Sequence, residues 1–446
     1  MSTVHLLVLI HGMWGNPSHL SELDRIIRET KAKLHDTEAD AELRVLLPKT
    51  NSDEYSYDGV DYGGERVAQE IVDEVTEIER NGKKVSRFSI TGYSLGGLVA
   101  RYVVGILHQR QFFKDVSPIN FNTFATPHIG LPRYSSVLSS LFHTLGPKLL
   151  SRTGEQFYCV DKWSANGRPL LEVMADPDRL FFQGLALFPH IRIYANAVND
   201  VTVPYCTAAI ELDDPFVDFD KSGVEVELME EYTPLIKSYT VPPEPPARPT
   251  VLSTTWFRSL KAPRPFLPPM LTFRFPLNLV FYCLVPVIIP TALSLVIVRL
   301  YLSSRNSRSR IKMLEKDETN GMKLIHIFEQ LEQQVENAVV DLIDETDPDP
   351  TLEAIEGSPD SASTTVAVAK EKGKTTKASS QQPVLTPLQH KLVANLNTLP
   401  NLKKERAFIY PVRNSHAVIV CRDVKRFPLH GMGEGILRHW ADEFVL

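Results

Sequence analysis

Over the first half of the chain, short apolar runs alternate with longer stretches in which apolar residues recur every three or four positions. Residues 6–10 (LLVLI) form an unbroken apolar run of strand length, the pattern of a strand buried on both faces. Asn16 and Pro17 have the chemistry of a helix cap and a first-turn residue, and Leu20, Leu23, Ile27 and Leu34 follow at roughly helical spacing. Residues 44–48 predict a second strand. In 64–80, Val67, Ile71, Val75 and Ile78 share one helical face, with acids and bases opposite, and Asn81-Gly82 closes the helix. Further strands are expected at 86–90, 119–124 and 191–195, each short and rich in β-branched or aromatic residues. The order βαβαβαβ places the chain in the α/β class, a mostly parallel sheet with helices on both faces.

The pattern changes after residue 212. A core at 1–212 is followed by a linker at 213–274, first acidic and then proline-rich, where a packed element is not expected. Residues 275–312 form a membrane-associated segment. No charge interrupts 275–298, and Arg299, Arg305, Arg308, Arg310 and Lys312 follow. That run is long enough to cross a bilayer as a helix. Pro286 and Pro290 each remove a helical hydrogen bond, so a bent segment that enters and leaves one leaflet is an alternative to a span, and a buried helical hairpin is a third reading. An amphipathic helix is predicted within 313–344, a disordered linker at 345–385, and a return to the core at 386–446, with a helix and then a strand ending at 407–410. The apolar stretch 135–150 reads either as a lid or as an ordinary packed helix.

Composition narrows the function classes. The chain has 446 residues, 43% hydrophobic and 23% charged, with a net charge of -6. That is one catalytic domain plus extras, with nucleic acid excluded as an expected partner. Cys159, Cys206, Cys283 and Cys421 are scattered without CxxC spacing, so no zinc site or disulfide framework is indicated. The first apolar run is too short for a signal peptide, which predicts an intracellular, non-secreted protein.

The candidate chemistry begins at Gly92-Tyr93-Ser94-Leu95-Gly96, a G-x-S-x-G elbow set between a predicted strand and a predicted helix. Gly92 and Gly96 leave room for the turn, Ser94 projects as the nucleophile, and the helix N-terminus favours developing negative charge. The first strand runs into His11-Gly12-Met13-Trp14-Gly15, an HGxxG loop. The backbone N–H groups of Met13 and Leu95 are therefore the candidate oxyanion donors. A serine needs a base and an orienting acid, supplied in the order Ser, acid, His in folds of the α/β-hydrolase type. Asp200, just past the strand at 191–195, is the candidate acid, ahead of Asp176, Asp178, Asp213 and Asp214. Of 13 histidines, His416 is the candidate base because it follows the last predicted strand and a short loop. His430 also follows the acid in order, and His326, His390 and His439, each on a predicted helix, are set aside as packing or surface residues. His128, in Thr126-Pro127-His128, is the main rival and is assigned a pocket-shaping role. This chemistry calls for no metal and no organic cofactor.

These residues resemble a known group, the serine esterases of the DUF676 lipase-like family, in particular its lipid-droplet phospholipase type. The resemblance rests on HGMWGNPSHL, GYSLGGLVARY, FATPHIG, GPKLLSRTGEQ, ANAVNDVTVPY and NSHAVIVCRD, a set that covers most of 4–212 and about 400–446. It implies an α/β-hydrolase fold and hydrolysis of glycerolipid acyl esters, phospholipids first, with Ser94, Asp200 and His416 in the roles given above. It also implies an address at a lipid droplet or on the cytosolic face of an intracellular membrane such as the endoplasmic reticulum, reached through 275–298. Alternatives are a monoacylglycerol or neutral-ester lipase, an acyltransferase, and a catalytically idle membrane tether. Protein partners are not indicated.

Overall fold

A computed structural model describes residues 2–32, 41–243, 277–316 and 382–446. Its strands are β1 (Thr3–Ile10), β2 (Ala41–Leu46), β3 (Lys84–Tyr93), β4 (Ser117–Phe124), β5 (Arg133–Tyr134), β6 (His190–Asn196), β7 (Glu225–Leu228), β8 (Ile236–Thr240), β9 (Pro383–Val384) and β10 (Leu402–Ala407). Six of them form one sheet in the order β10-β6-β4-β3-β1-β2, and every pairing in it is parallel. The alternation of β1 explains its unbroken apolar sequence. Leu6, Val8 and Ile10 enter a cluster with α2 (Val60–Arg80) and α3 (Leu95–Gln109), whereas Leu7 and Leu9 enter a second cluster with α1 (Ser21–Ala32) and the C-terminal helix Glu434–Asp442. Side chains pointing to opposite faces thus meet helices on both sides, each large one contributing about 1.5–3 kcal/mol on burial. This is the α/β-hydrolase architecture expected from the sequence.

Three expectations need correction. The last strand is Leu402–Ala407, not the apolar run at 407–410. It is the sheet edge, so its charged residues remain partly in water. Glu405 pairs with Arg192 at 2.6 Å and Lys404 with Glu211 at 2.8 Å. Residues 213–243, expected to be a linker, carry the antiparallel hairpin β7–β8, and Phe216 and Ile236 are buried against Ala195, Val198 and Tyr205. Glu225 and Glu227 face outward and alternate with the partly buried Val226 and Leu228, which masks the apolar pattern. The C-terminal return also starts earlier than residue 386, because β9 pairs with β5.

The apolar segment lies in one helix, Leu277–Lys316, which continues through Pro286 and Pro290. Neither the doubled-back segment nor the buried hairpin describes it. Val287, Leu293 and Leu295 are 63%, 57% and 66% exposed, so this half finds no protein to pack against among the described residues. The expected 313–344 helix begins inside this element, and the amphipathic pattern at 322–343, with His326, lies outside the described residues, as do the proline-rich stretch 244–270 and most of 345–385. The stretch 135–150 forms α4 (Val137–Leu149), which leaves Val137, Leu141 and Phe142 largely exposed and is therefore not an ordinary packed helix.

Candidate active site

All the candidate residues come from loops at the C-terminal ends of sheet strands, the edge at which parallel sheets place their sites. Ser94 links β3 directly to α3 with φ 55° and ψ −123°, a conformation that L residues rarely adopt and that costs about 1–3 kcal/mol. Tight packing holds it there. The Ser94 N–H donates to Phe124 O at 2.8 Å. A Cβ on Gly96 would lie 2.2 Å from Ile10 O and 2.6 Å from His11 O, so α3 presses directly on the end of β1. A Cβ on Gly92 would likewise meet Gly97 Cα at 2.4 Å. The obstacle at Gly96 is backbone and cannot rotate away. Gly96→Ala is therefore expected to lower stability by at least the cost of core overpacking, about 1–3 kcal/mol, and to push the His11 loop off Ser94. Urea unfolding together with ester turnover would check both effects.

The loop after β1 folds as a turn, with the Gly15 N–H donating to Gly12 O at 3.1 Å. Gly12 faces the serine so closely that a Cβ there would lie 2.8 Å from Ser94 Cβ. His11 is buried, its Nδ1 is 3.0 Å from Gly12 O, and burial is the main cause of its lowered pKa. Its imidazole therefore shapes the turn. Met13 occupies the second position of the turn, whose N–H the turn bond leaves unused, and Leu95 is the first residue of α3, where helical N–H groups have no internal acceptor. These two candidate donors border Ser94, Leu95 in sequence and Met13 through its neighbour Gly12.

His416 and Asp200 arrive from residues far apart in the chain. Ser94 Oγ lies 3.0 Å from His416 Nε2, and His416 Nδ1 lies 2.9 Å from Asp200 Oδ2. The Asp200 side chain is 2% exposed, and its other hydrogen bonds come from Thr202 N at 2.9 Å, Val203 N at 2.8 Å and Asn196 Nδ2 at 2.8 Å. Burial alone would raise the Asp200 carboxyl, but the positive charge available on His416 and this set of donors outweigh it, and the pKa lies below the ordinary carboxylate value. An ionised carboxylate only accepts, so Nδ1 carries the proton toward Asp200 and Nε2 is left to accept from Ser94. A hydroxyl with a braced base beside it has the arrangement needed for nucleophilic acyl transfer.

Ser94, Asp200 and His416 meet in the structure, and residues that the sequence motifs do not mark hold them there. Ser415 ties the histidine loop to the acid loop, with its N–H on Asn199 O at 2.9 Å and its Oγ on Val198 O at 2.8 Å. The Tyr93 hydroxyl donates to His416 O at 2.8 Å, and its ring lies 5.1 Å from the imidazole. Asn196, a buried polar residue at the end of β6 four positions before Asp200, was the legible signal for a partner of the acid. His128 is fully buried, bonds Thr123 Oγ1 at 2.9 Å through Nε2, and gives its carbonyl to Arg101 at 2.9 Å. It braces the loop after β4 and hydrogen-bonds to neither Ser94 nor Asp200. Among the rival acids, Asp176 is paired with Arg168 at 2.6 Å, and Asp214 caps Phe216 N at 2.9 Å. His439 bonds the Tyr194 hydroxyl at 3.0 Å, a packing contact between the C-terminal helix and β6.

Residues 1–210 match the family described as "Putative serine esterase (DUF676)". The protein named Putative lipase C4A8.10 from Schizosaccharomyces pombe is 30% identical over 214 residues, which is 47% of this chain and 26% of that protein. Putative lipase ROG1 from Saccharomyces cerevisiae is 28% identical over 249 residues, 53% of this chain and 33% of its own length. The chain thus spans about a third or less of the curated relatives it matches. Among solved structures, a putative cell surface hydrolase from Lactobacillus plantarum WCFS1 aligns at 13% identity and TM-score 0.25, covering 46% of this chain and 74% of that one. Est1E from Butyrivibrio proteoclasticus aligns at 13% identity and TM-score 0.24, covering 46% and 72%.

Proposed function

We propose that this chain, whose residues 1–210 match the DUF676 serine esterase family, hydrolyses acyl esters of glycerolipids, phospholipids first, at the surface of a lipid droplet or an intracellular membrane. The observation that carries the reading is the hydrogen-bonded series Ser94, His416, Asp200, with Ser94 held at φ 55°. In the first half-reaction, Ser94 Oγ attacks the ester carbonyl carbon while its proton passes to His416 Nε2. The carbonyl oxygen becomes an oxyanion, held by the N–H groups of Met13 and Leu95. One such donor is worth about 10²–10³ in rate. Collapse breaks the bond to the glycerol oxygen, which leaves with the proton from His416. Water then attacks the acyl-enzyme by the same route and releases the fatty acid. Asp200 keeps its charge throughout and stabilises the imidazolium.

Two further observations favour a lipid substrate. The relatives are named lipases, and the exposed apolar half of the helix Leu277–Lys316 has the length and composition to cross a membrane. At about 1.5 Å per residue, 277–298 spans about 33 Å, close to the roughly 30 Å of a hydrocarbon core. Thr291 Oγ1 donates to Val287 O at 2.7 Å, a side-chain contact of the kind that helps a proline-containing helix persist in lipid. Arg299, Arg305 and Arg308 then keep the following half on the cytosolic side.

The decisive experiment incubates the purified full-length protein with mixed phospholipids and acylglycerols and follows the products by mass spectrometry. Release of free fatty acid with stoichiometric lysophospholipid supports the reading. Release from acylglycerols alone, or transfer of the acyl group to a lipid alcohol, would replace it with a neutral-ester lipase or an acyltransferase, and no turnover on any lipid would leave a tether. Separately, deletion of 277–298 with 299–316 retained is expected to move a tagged protein from droplets and membranes into the soluble fraction. Unchanged enrichment in a fluorescence image would defeat the anchor.

A further inference from the structure

We infer that the second half of the helix Leu277–Lys316 is a working part of the active site: Arg310, through Asp58 and the turn Asp53–Tyr57, positions the loop that offers the Met13 N–H. The inference rests on the esterase reading above.

A helix leaving a membrane into water would ordinarily present a polar, solvated surface. Here Ser303, Ser304 and Ser307 are buried instead. Their small side chains let the helix lie close to the body, where Ser304 Oγ donates to Lys148 O at 2.9 Å and Ser307 Oγ meets Ser151 Oγ at 3.1 Å. One turn further on, Arg310 Nη2 donates to Glu54 O at 2.9 Å and to Asp58 Oδ1 at 2.8 Å, while its guanidinium lies 4.8 Å from the Tyr55 ring centroid. The Asp58 side chain is fully buried. Ile311 closes the contact against Tyr62. A two-pronged, stacked arginine on a buried carboxylate fixes orientation as well as distance.

The turn that Arg310 grips is the one that supports the oxyanion loop from its other side. The Trp14 N–H donates to Ser56 Oγ at 3.0 Å, the Asp53 N–H donates to Gly15 O at 2.9 Å, and the Trp14 and Tyr57 rings lie 6.3 Å apart. From below, Thr153 Oγ1 donates to Ser56 O at 2.7 Å and accepts from Gly59 N at 2.9 Å. The turn Asp53–Tyr57 is therefore held between the loop His11–Gly15, α5 (Ser151–Phe157) and the long helix. A rate-determining N–H is useful only within a narrow range of positions, and a displacement of about 1 Å can cost about 10²-fold. Arg310 and Asp58 touch no reacting atom. They are positioning residues, and a segment that anchors the chain in lipid completes the site as it docks.

The test uses the full-length chain in detergent micelles, with a water-soluble p-nitrophenyl ester and active-site titration by a fluorophosphonate. Arg310→Ala leaves Asp58 paired with Arg66 Nη1 at 2.9 Å, so no buried charge is orphaned and the fold is kept. Its kcat per titrated site is expected to fall about 10- to 100-fold with KM within about twofold, and Arg310→Lys, which keeps the charge but loses the fork, is expected to fall in between. Met313→Ala, on the exposed side of the same helix, should match wild type. Amide hydrogen exchange gives a readout independent of catalysis: residues 12–15 and 53–58 should exchange faster in Arg310→Ala while the amides of α3 stay protected. Wild-type kcat per site in Arg310→Ala, even with a lowered melting temperature, overturns the inference, as does unchanged exchange at 12–15. A wild-type protein that takes no label at Ser94 would overturn the esterase reading instead, and the exchange data would still decide whether the helix clamps the loop.

Discussion

Ser94→Ala is expected to remove ester turnover, lowering kcat by about 10⁶-fold, and to abolish fluorophosphonate labelling. The size follows from the geometry. The hydroxyl is the sole nucleophilic atom at 3.0 Å from His416 Nε2 among the described residues, and no neighbour can substitute for it at that distance. What survives the substitution is ground-state binding and the two N–H donors, which still favour attack by water by about 10³–10⁴-fold over solution. Because serine and histidine act as one unit, His416→Ala should cost about as much, and the double variant should lose no more than either alone. Alanine is smaller than serine and inherits the same backbone strain at φ 55°, so it adds no crowding against Gly12 and the variant should unfold at the wild-type urea concentration. Turnover on a p-nitrophenyl ester, with labelling detected on a gel, gives the answer. Equal labelling of Ser94→Ala and wild type would remove Ser94 from the chemistry.

Asp200→Asn is the second large effect, about 10⁴-fold in kcat with the backbone undisturbed. The carboxylate accepts from four donors: Thr202 N, Val203 N, Asn196 Nδ2 and His416 Nδ1. An amide can accept only on its oxygen. If the oxygen stays with the two backbone N–H groups, the NH₂ faces both Asn196 Nδ2 and the imidazole, so His416 is driven to the tautomer with its proton on Nε2, where it cannot take one from Ser94. The change also alters stability with pH. The folded-state carboxyl of Asp200 lies below its ordinary value of about 3.9, so the wild-type protein gains stability from it above the unfolded-state value and loses that contribution as pH falls through the folded-state value. Asp200→Asn should lack that share of the acid-side loss. Urea midpoints followed downward from neutral pH, alongside kcat, test both parts. An Asp200→Asn protein with near-normal kcat would show that the imidazole does not depend on this acid.

Several features of this molecule were legible before any coordinates. A strand buried on both faces favours a continuous apolar run, so β1 announced itself, β3, β4 and β6 were read from short stretches rich in β-branched or aromatic residues, and the strand–Gly-x-Ser-x-Gly–helix order announced the elbow. Chain order then led to Asp200 and His416. The edge strand β10 was read a few residues late, since a strand with one open side tolerates Lys403, Lys404, Glu405 and Arg406 and carries no apolar signature. The hairpin β7–β8 was hidden for a related reason: most of its residues face water, from Glu225 and Glu227 to Lys237 and Ser238, and the buried ones, such as Ile236, are too sparse to read without their partners in the core.

By itself, the sequence determined most strands of the main sheet, the elbow and the candidate acid, base and nucleophile, because these depend on short-range sterics, periodicity and residue type. Only the tertiary structure decided which donors surround Asp200, that Tyr93 and Ser415 brace the histidine, and that Arg310 reaches Asp58 across 252 positions of chain. Those contacts join residues whose separation along the polypeptide carries no information about their separation in space. They exist only once the sheet has set its strand order and the helices have closed over both of its faces.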